Sequence, residues 1–249
     1  MKEIPFQRHL TNLASKIIQK HTKALIGESE EEIKYSKKEN YVVKTLLSLA
    51  EIEFVFEQLE QTPHFLSNFR HTKTLKEVRI NRFHHIIYHI ESHLFRTTGI
   101  LDRMMIHLNE VFKFGLSQEK CKAHNLLMNR KGKEGKYAKE IRNKNPKLYS
   151  TLINLMNLID RFRDIRNEIS HQSRYRSERL MYVEMYHIFQ QRGEVEFLKT
   201  PFKNHIKKET DKSVDSYKKH MLNLNSEIRE LLDEIYSYLE VVWKEEYKK

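Results

Sequence analysis

The sequence predicts an all-α protein, and three features carry that expectation. Only six of its 249 residues are Gly and four are Pro, about a third of ordinary usage. The hairpins of a many-stranded sandwich or barrel would consume more of both. Hydrophobic residues at 39% and charged residues at 32% suit helices that each bury one face. Apolar side chains also recur at spacings of three and four over several long stretches. The length suits one large domain with an appendage. We expect an N-terminal helical appendage over 1–40 and a helical bundle over 41–249.

Taken in order, the stretch 4–26 is weakly amphipathic, and 23–40, rich in Glu, Ser and Lys, reads as a connection. The stretch 41–59 carries Val42, Val43, Leu46, Leu47, Leu49, Ile52, Phe54, Val55, Phe56 and Leu59. That is apolar over most of a helix circumference and predicts a central, well-covered helix. From 82 to 114, Phe83, Ile86, Ile87, Ile90, Leu94, Leu101, Met104, Met105, Leu108 and Phe112 share one side. Arg82, His85, His89, Ser92, Arg96 and Arg103 fall opposite, so one long helix is expected, with Gly99 as the place where it can bend. Asn145-Pro146 is a helix-start signal ahead of Leu152, Leu155, Leu158, Ile159, Phe162, Ile165 and Ile169.

The stretch 172–205 leaves two readings open. Met181, Val183, Met185 and Phe189 alternate as in a strand, while Leu180, Val183 and Tyr186 fit a helix, so a small irregular or β insertion stands beside the helical reading. Met221, Leu224, Ile228, Leu231, Ile235, Tyr238 and Val242 predict a long C-terminal helix.

The formal net charge is +11, a surplus that attracts polyanions and says nothing of fold. It concentrates in 117–147, where ten Lys and Arg face only three Glu. Gly132 and Gly135 make the middle of this section a loop, and Lys131, Lys133 and Lys136 are its candidate RNA contacts. The competing reading is a mobile lysine-rich loop. The single cysteine, Cys121, rules out an internal disulfide framework and fits a reducing compartment. No apolar run reaches seven residues, so neither a signal segment nor a membrane span is expected. A cytoplasmic placement follows as an expectation.

The helix over 146–171 closes on Arg166-Asn167-Glu168-Ile169-Ser170-His171. Arg-x4-His alone recurs by chance, and a second copy runs from Arg79 to His84. Asn directly after the Arg, at the end of an amphipathic helix, sets the first copy apart. In an all-helical chain this Arg-Asn-x-x-x-His string resembles the HEPN superfamily (higher eukaryotes and prokaryotes nucleotide-binding domain). The resemblance covers about residues 41–171, with the C-terminal helix as a candidate addition. It implies a four- or five-helix bundle and a metal-independent endoribonuclease of defence, toxin or stress response. It also implies two-fold dimers that place two copies of the motif in one cleft, needing no cofactor. An antitoxin or other regulatory protein is an implied partner, with one departure: the family's toxins usually carry Tyr two residues after the His, where this chain has Ser173 and the nearest tyrosine is Tyr175.

At 100° per residue Arg166 lies about 140° from His171, so the two are not neighbours on one helix face. They could meet at a phosphate if the helix ends between them, or if a second subunit supplies facing residues. Cleavage beside a 2′-hydroxyl needs a proton-moving group, for which His171 is suited. It also needs positive charge on the phosphorane, for which Arg166 is suited. Asn167 could orient the imidazole or touch phosphate. The plainer alternatives are an Arg166–carboxylate pair, for which Glu91 is a candidate, and a His171 that caps the last carbonyls of its helix.

Arg82, His85, His89 and Arg96 form a polar stripe that could face RNA, face a partner subunit or lie solvated. His85, His89 and His93 have zinc-compatible spacing, but the interleaved arginines oppose a cation, so no metal is expected. No Gly-rich phosphate loop, Gly-x-Ser-x-Gly or His-Glu-x-x-His occurs. The leading expectation is an RNA-cleaving homodimer. The alternative is a non-catalytic helical module that binds nucleic acid or a protein partner, and a third reading is a structural dimerisation protein.

Overall fold

The computed structural model describes residues 4–22, 34–70, 72–78, 80–171, 174–192 and 200–248. Stretch 23–33 of the expected connection, Arg79 and Ser173 lie outside them. The described residues form nine α-helices: α1 (Pro5–Lys20), α2 (Lys37–Ser67), α3 (Lys73–Glu77), α4 (Arg82–Phe112), α5 (Ala123–Leu126), α6 (Ala138–Lys144), α7 (Pro146–His171), α8 (Glu178–Gln191) and α9 (Thr200–Lys248). A 3-10 turn spans Gln118–Lys120. Among the described residues the only β pairing is an isolated bridge between Met128 and Glu134. No helix among them is long and apolar enough to cross a membrane.

Two compact units divide the chain, the first formed by Met1–Val55, Gly99–Ile159 and Ile228–Lys249, the second by Phe56–Thr98 and Asp160–Glu227. Helix α1, expected as an appendage, buries Phe6, Leu10, Ala14 and Ile17 at the 3–4 spacing of one helical face. Phe6 meets the rings of His107 and Trp243, so α1 belongs to the core of the first unit.

Helix starts follow their sequence signals. Ser36 N donates to Glu39 Oε2 at 2.8 Å and Glu39 N donates to Ser36 Oγ at 3.2 Å, a reciprocal capping box that opens α2. Asn145 Oδ1 accepts from Leu148 N at 3.0 Å and Pro146 begins α7. Helix α4 runs unbroken through Gly99. It ends where Phe114 N donates to Asn109 O and Lys113 N to Glu110 O, with Lys113 in the left-handed region at φ 56°. That is a Schellman closure whose pivotal residue is ordinarily Gly.

Three expectations are corrected. Met181, Val183, Met185 and Phe189 lie in helix α8, so 172–205 holds no β insertion among its described residues. Leu180 and Val183 are its buried contacts, three apart as a helix requires. Helix α9 begins at Thr200, about twenty residues before the expected start, because Ile206, Thr210, Ser213, Val214 and Met221 form its buried line. Two of these are polar, which thins the apolar signal. Helix α2 is not covered all round, since Leu47 and Phe54 are exposed.

Some buried polar groups find partners within their own unit, while others, His107 Nε2 and Tyr149 Oη among them, have no hydrogen-bond partner among the described residues. In the second unit, Asn225 Nδ2 donates to Leu59 O at 2.9 Å, and its Oδ1 lies 2.9 Å from His93 Nε2. The imidazole is therefore the donor, held neutral with its pKa pushed down to about 4, chiefly by burial. In the first unit His107 is fully buried, with Nδ1 2.8 Å from Ser48 Oγ. Burial pushes its pKa down to about 3.

Both histidines titrate near 6.5 when unfolded. Below that pH the unfolded chain takes up protons that the folded chain refuses. Stability should therefore fall as pH drops from 6.5, by about 1.4 kcal/mol per pH unit for each of the two groups. The His93 contribution is exhausted near pH 4 and the His107 contribution near pH 3, and urea melts across this range measure both. Asn225→Leu should destabilise the fold by roughly 1–3 kcal/mol for each of the two partners it strands.

Candidate functional site

Helix α7 enters the second unit at Asp160. Its last turns pack Phe162 and Ile169 against a core of Leu66, Phe83, Ile86, Ile87, Ile90, Leu94, Leu180, Val183, Val214 and Met221. This apolar face sets the orientation of the polar residues between. Asp160 pairs with Arg163 at 3.0 Å.

Arg166 has a different environment. Its Nη1 donates to Asn167 Oδ1 at 3.1 Å, and its guanidinium lies over the Phe95 ring, 5.8 Å from the centroid. Its Nε is shielded from solvent without a hydrogen-bond partner. No carboxylate pairs with it among the described residues. The cation is thus held by a neighbouring amide and an aromatic face, both neutral, with the stem half-buried. Phe95, which sequence reasoning did not single out, is the residue that supports it.

His171 is the last residue of α7 and is exposed. Helix α7 is continuous from Arg166 through His171, so the helix does not end between them. No hydrogen bond or ion pair joins the two among the described residues. The structure brings Arg166 and Asn167 together and leaves His171 separate. A His171 side-chain cap on its own helix is likewise not among the described hydrogen bonds. Ser170 Oγ instead donates to Arg166 O at 2.9 Å.

The chain after the motif is fastened by Glu91. Its Oε1 accepts from Tyr175 N at 2.7 Å, where the sequence suggested a pairing with Arg166. Tyr217 Oη donates to Ser177 Oγ at 2.8 Å and lies 3.4 Å from Tyr175 Oη. Arg174 pairs with Glu184 and lies over the Phe83 ring. Glu91 and Phe95 are one turn apart on α4, so one face of that helix supports Arg166 and the segment that follows His171.

The expected RNA stripe of α4 is engaged within the second unit. Arg82 pairs with Asp211, and Arg96 Nε donates to Gln58 Oε1 at 2.9 Å. His85 Nε2 lies 2.8 Å from Phe65 O, and its ring meets those of Phe69 and His89. His89 stacks on Phe65 at 5.9 Å. All four side chains are half-buried. Burial lowers the His85 pKa and pushes that of His89 down to about 4. At neutral pH the positive charge of the stripe is that of Arg82 and Arg96. His93 is committed to Asn225. Among the described residues no group of three or more His, Cys, Asp or Glu side chains is placed to hold a metal ion.

Lys131, Lys133 and Lys136 stand exposed in the first unit on a constructed turn. Asn129 Oδ1 accepts from Lys131 N at 2.9 Å and Lys133 N at 3.0 Å. Gly132 supplies φ +77°, which side chains rarely adopt. At Gly135 a Cβ would stand 2.4 Å from Asn125 O, so only Gly fits this close backbone approach. Lys136 Nζ lies over the Tyr137 ring at 5.2 Å.

Comparison with protein-family models, with curated proteins and with solved structures finds no match to this chain.

Glu91→Gln should loosen the segment after His171, because a charged acceptor on a backbone N–H is replaced by a neutral one. The expected cost is about 1–2 kcal/mol, read as faster hydrogen exchange at the Tyr175 amide with the α4 core amides unchanged.

Proposed function

We propose that the chain is a metal-independent endoribonuclease of HEPN type that works as a two-fold dimer. The observation that carries this reading is the state of Arg166, a guanidinium fixed by Asn167 and Phe95 without a neutralising carboxylate among the described residues. It sits five residues before an exposed His171 at the end of the same helix. A structural arginine gains most from a carboxylate; one that meets phosphate is better left unneutralised.

The divergence of the two side chains along a continuous helix supports a composite site. In such a site Arg166 and His171 of one copy face those of a second across a two-fold axis. One His171 takes the proton of the RNA 2′-hydroxyl as its oxygen attacks phosphorus. The His171 of the second copy gives a proton to the departing 5′-oxygen. The arginines stabilise the charge that grows on the phosphorane oxygens. The products are a 2′,3′-cyclic phosphate and a 5′-hydroxyl. Lys131, Lys133 and Lys136 draw the strand toward the protein. An activity of this kind belongs among cytoplasmic RNA, in defence or growth control, under an antitoxin or other regulator.

Purified protein should cleave single-stranded or loop RNA in excess chelator, with those termini visible by mass spectrometry, and leave DNA intact. His171→Ala should lose about 10²–10⁴ in rate, and Arg166→Ala about 10²–10³, both retaining RNA binding and helical circular dichroism. Light scattering should report about 60 kDa, twice the 30.2 kDa chain. Cleavage by a strict monomer would exclude the composite site, and equal cutting of DNA would exclude the 2′-hydroxyl chemistry.

A further inference from the structure

The first unit contains a second concentration of positive charge, lined by none of the residues named as a site above. A groove of about 690 Å³ opens between the start of α2 and the end of α4, and Lys37, Lys38, Lys44 and Lys113 line it with Glu110 as the single carboxylate. None of the four lysines is ion-paired among the described residues. The remaining walls include Tyr41, Tyr247 and the 115–116 backbone.

Two of these ammonium groups are held in place by neutral partners. Lys113 Nζ donates to Glu246 O at 2.7 Å and lies 4.2 Å from the Tyr41 ring centroid. Lys38 Nζ lies over the Tyr247 ring at 5.6 Å. Between the two tyrosines stands Trp243, stacked on Tyr41 at 5.7 Å and on Tyr247 at 4.8 Å. Trp243 thus stacks on both tyrosines, and each tyrosine ring carries a lysine. A carbonyl and a π face orient a cation without cancelling its charge, and an ammonium with one hydrogen bond made has two donors left.

The backbone adds an independent sign. Lys113 is the positive-φ non-Gly residue among those described, φ 56°, at a helix closure that Gly fits without strain. The lysine side chain there is held by Glu246 O and the Tyr41 ring, contacts that Gly could not make. The loop that carries it is fixed from below: Asn109 Oδ1 accepts from Leu116 N at 2.9 Å, and Asn109 Nδ2 donates to Leu116 O at 3.3 Å.

We propose that this groove is a binding site for clustered phosphoryl groups, as borne by a nucleoside polyphosphate or by consecutive nucleotides of an RNA strand. Four lysines lining one groove match several phosphate charges at once. The ring faces are occupied by lysines and by Trp243, so recognition is of phosphate and not of a stacked base. The site stands whether or not Arg166 and His171 cleave RNA, because its readout is binding alone.

Trp243 is the only tryptophan in the chain, which makes its emission a local reporter of these rings. Full-length protein at low salt should show a saturable emission change with tripolyphosphate, adenosine triphosphate or a short single-stranded RNA. Adenosine and polyglutamate should produce none. Lys113→Gly removes the ammonium and relaxes the backbone. It should melt no earlier than the parent yet bind tripolyphosphate about tenfold more weakly, the worth of one hydrogen bond to a charged group. Lys44→Gln should lower the slope of log RNA affinity against log salt by about 0.7. Displacement of tripolyphosphate by RNA assigns the site to a strand, and binding of tripolyphosphate without displacement assigns it to a free polyphosphate. Absence of any saturable response, an equal response to polyglutamate, or unchanged affinity in the Lys44→Gln/Lys113→Gly pair would overturn the proposal.

Discussion

A buried carboxylate sets the register of the first unit. Glu53 on α2 is 6% exposed and accepts from both Arg229 guanidinium nitrogens at 3.0 and 3.3 Å and from Tyr236 Oη at 2.8 Å. Removing one partner of such an ion pair leaves an uncompensated buried charge and costs about 3–5 kcal/mol. Arg229, Tyr236 and Trp243 recur every seven residues, so they lie along one side of α9. Trp243 Nε1 in turn donates to Thr45 Oγ1 at 3.2 Å, eight residues before Glu53. These paired contacts run antiparallel along α2 and α9 and permit one alignment only. The stacking of Trp243 on Tyr41 and the placement of Lys113 over Tyr41 depend on that alignment.

Much of this was legible in the sequence, for reasons that can be named. The period of Phe83 to Phe112 gave α4 as one helix, and Asn145-Pro146 gave the start of α7. What failed did so where polar residues serve the interior or apolar ones the surface. Thr210 and Ser213 hide the first half of α9, while Leu47 and Phe54 on an outward face of α2 suggested a cover that is absent. Short apolar runs such as 180–189 fit both periods until packing selects one.

At the candidate site, the angular separation of Arg166 and His171 followed from helix geometry alone. The partner of Glu91 did not, because a carboxylate that reaches a backbone amide leaves no mark on residue type at the other end. Phe95 was likewise invisible as a support for Arg166, since an aromatic on an amphipathic helix reads first as core. The half-buried histidines of α4 show the same effect in reverse. Their polar spacing suggested a face turned outward, whereas His85 and His89 lie against Phe65 and Phe69 of the second unit.

The free thiol offers a different use of the fold. Cys121 is 1% exposed, its Sγ 3.4 Å from Ser117 O, and burial raises its pKa. A thiol so placed meets an alkylating reagent only when the 117–123 segment opens. With one cysteine in the chain, the labelling rate under native conditions becomes a clock for that single local opening, and the same burial protects the protein from cross-linking through sulfur in air.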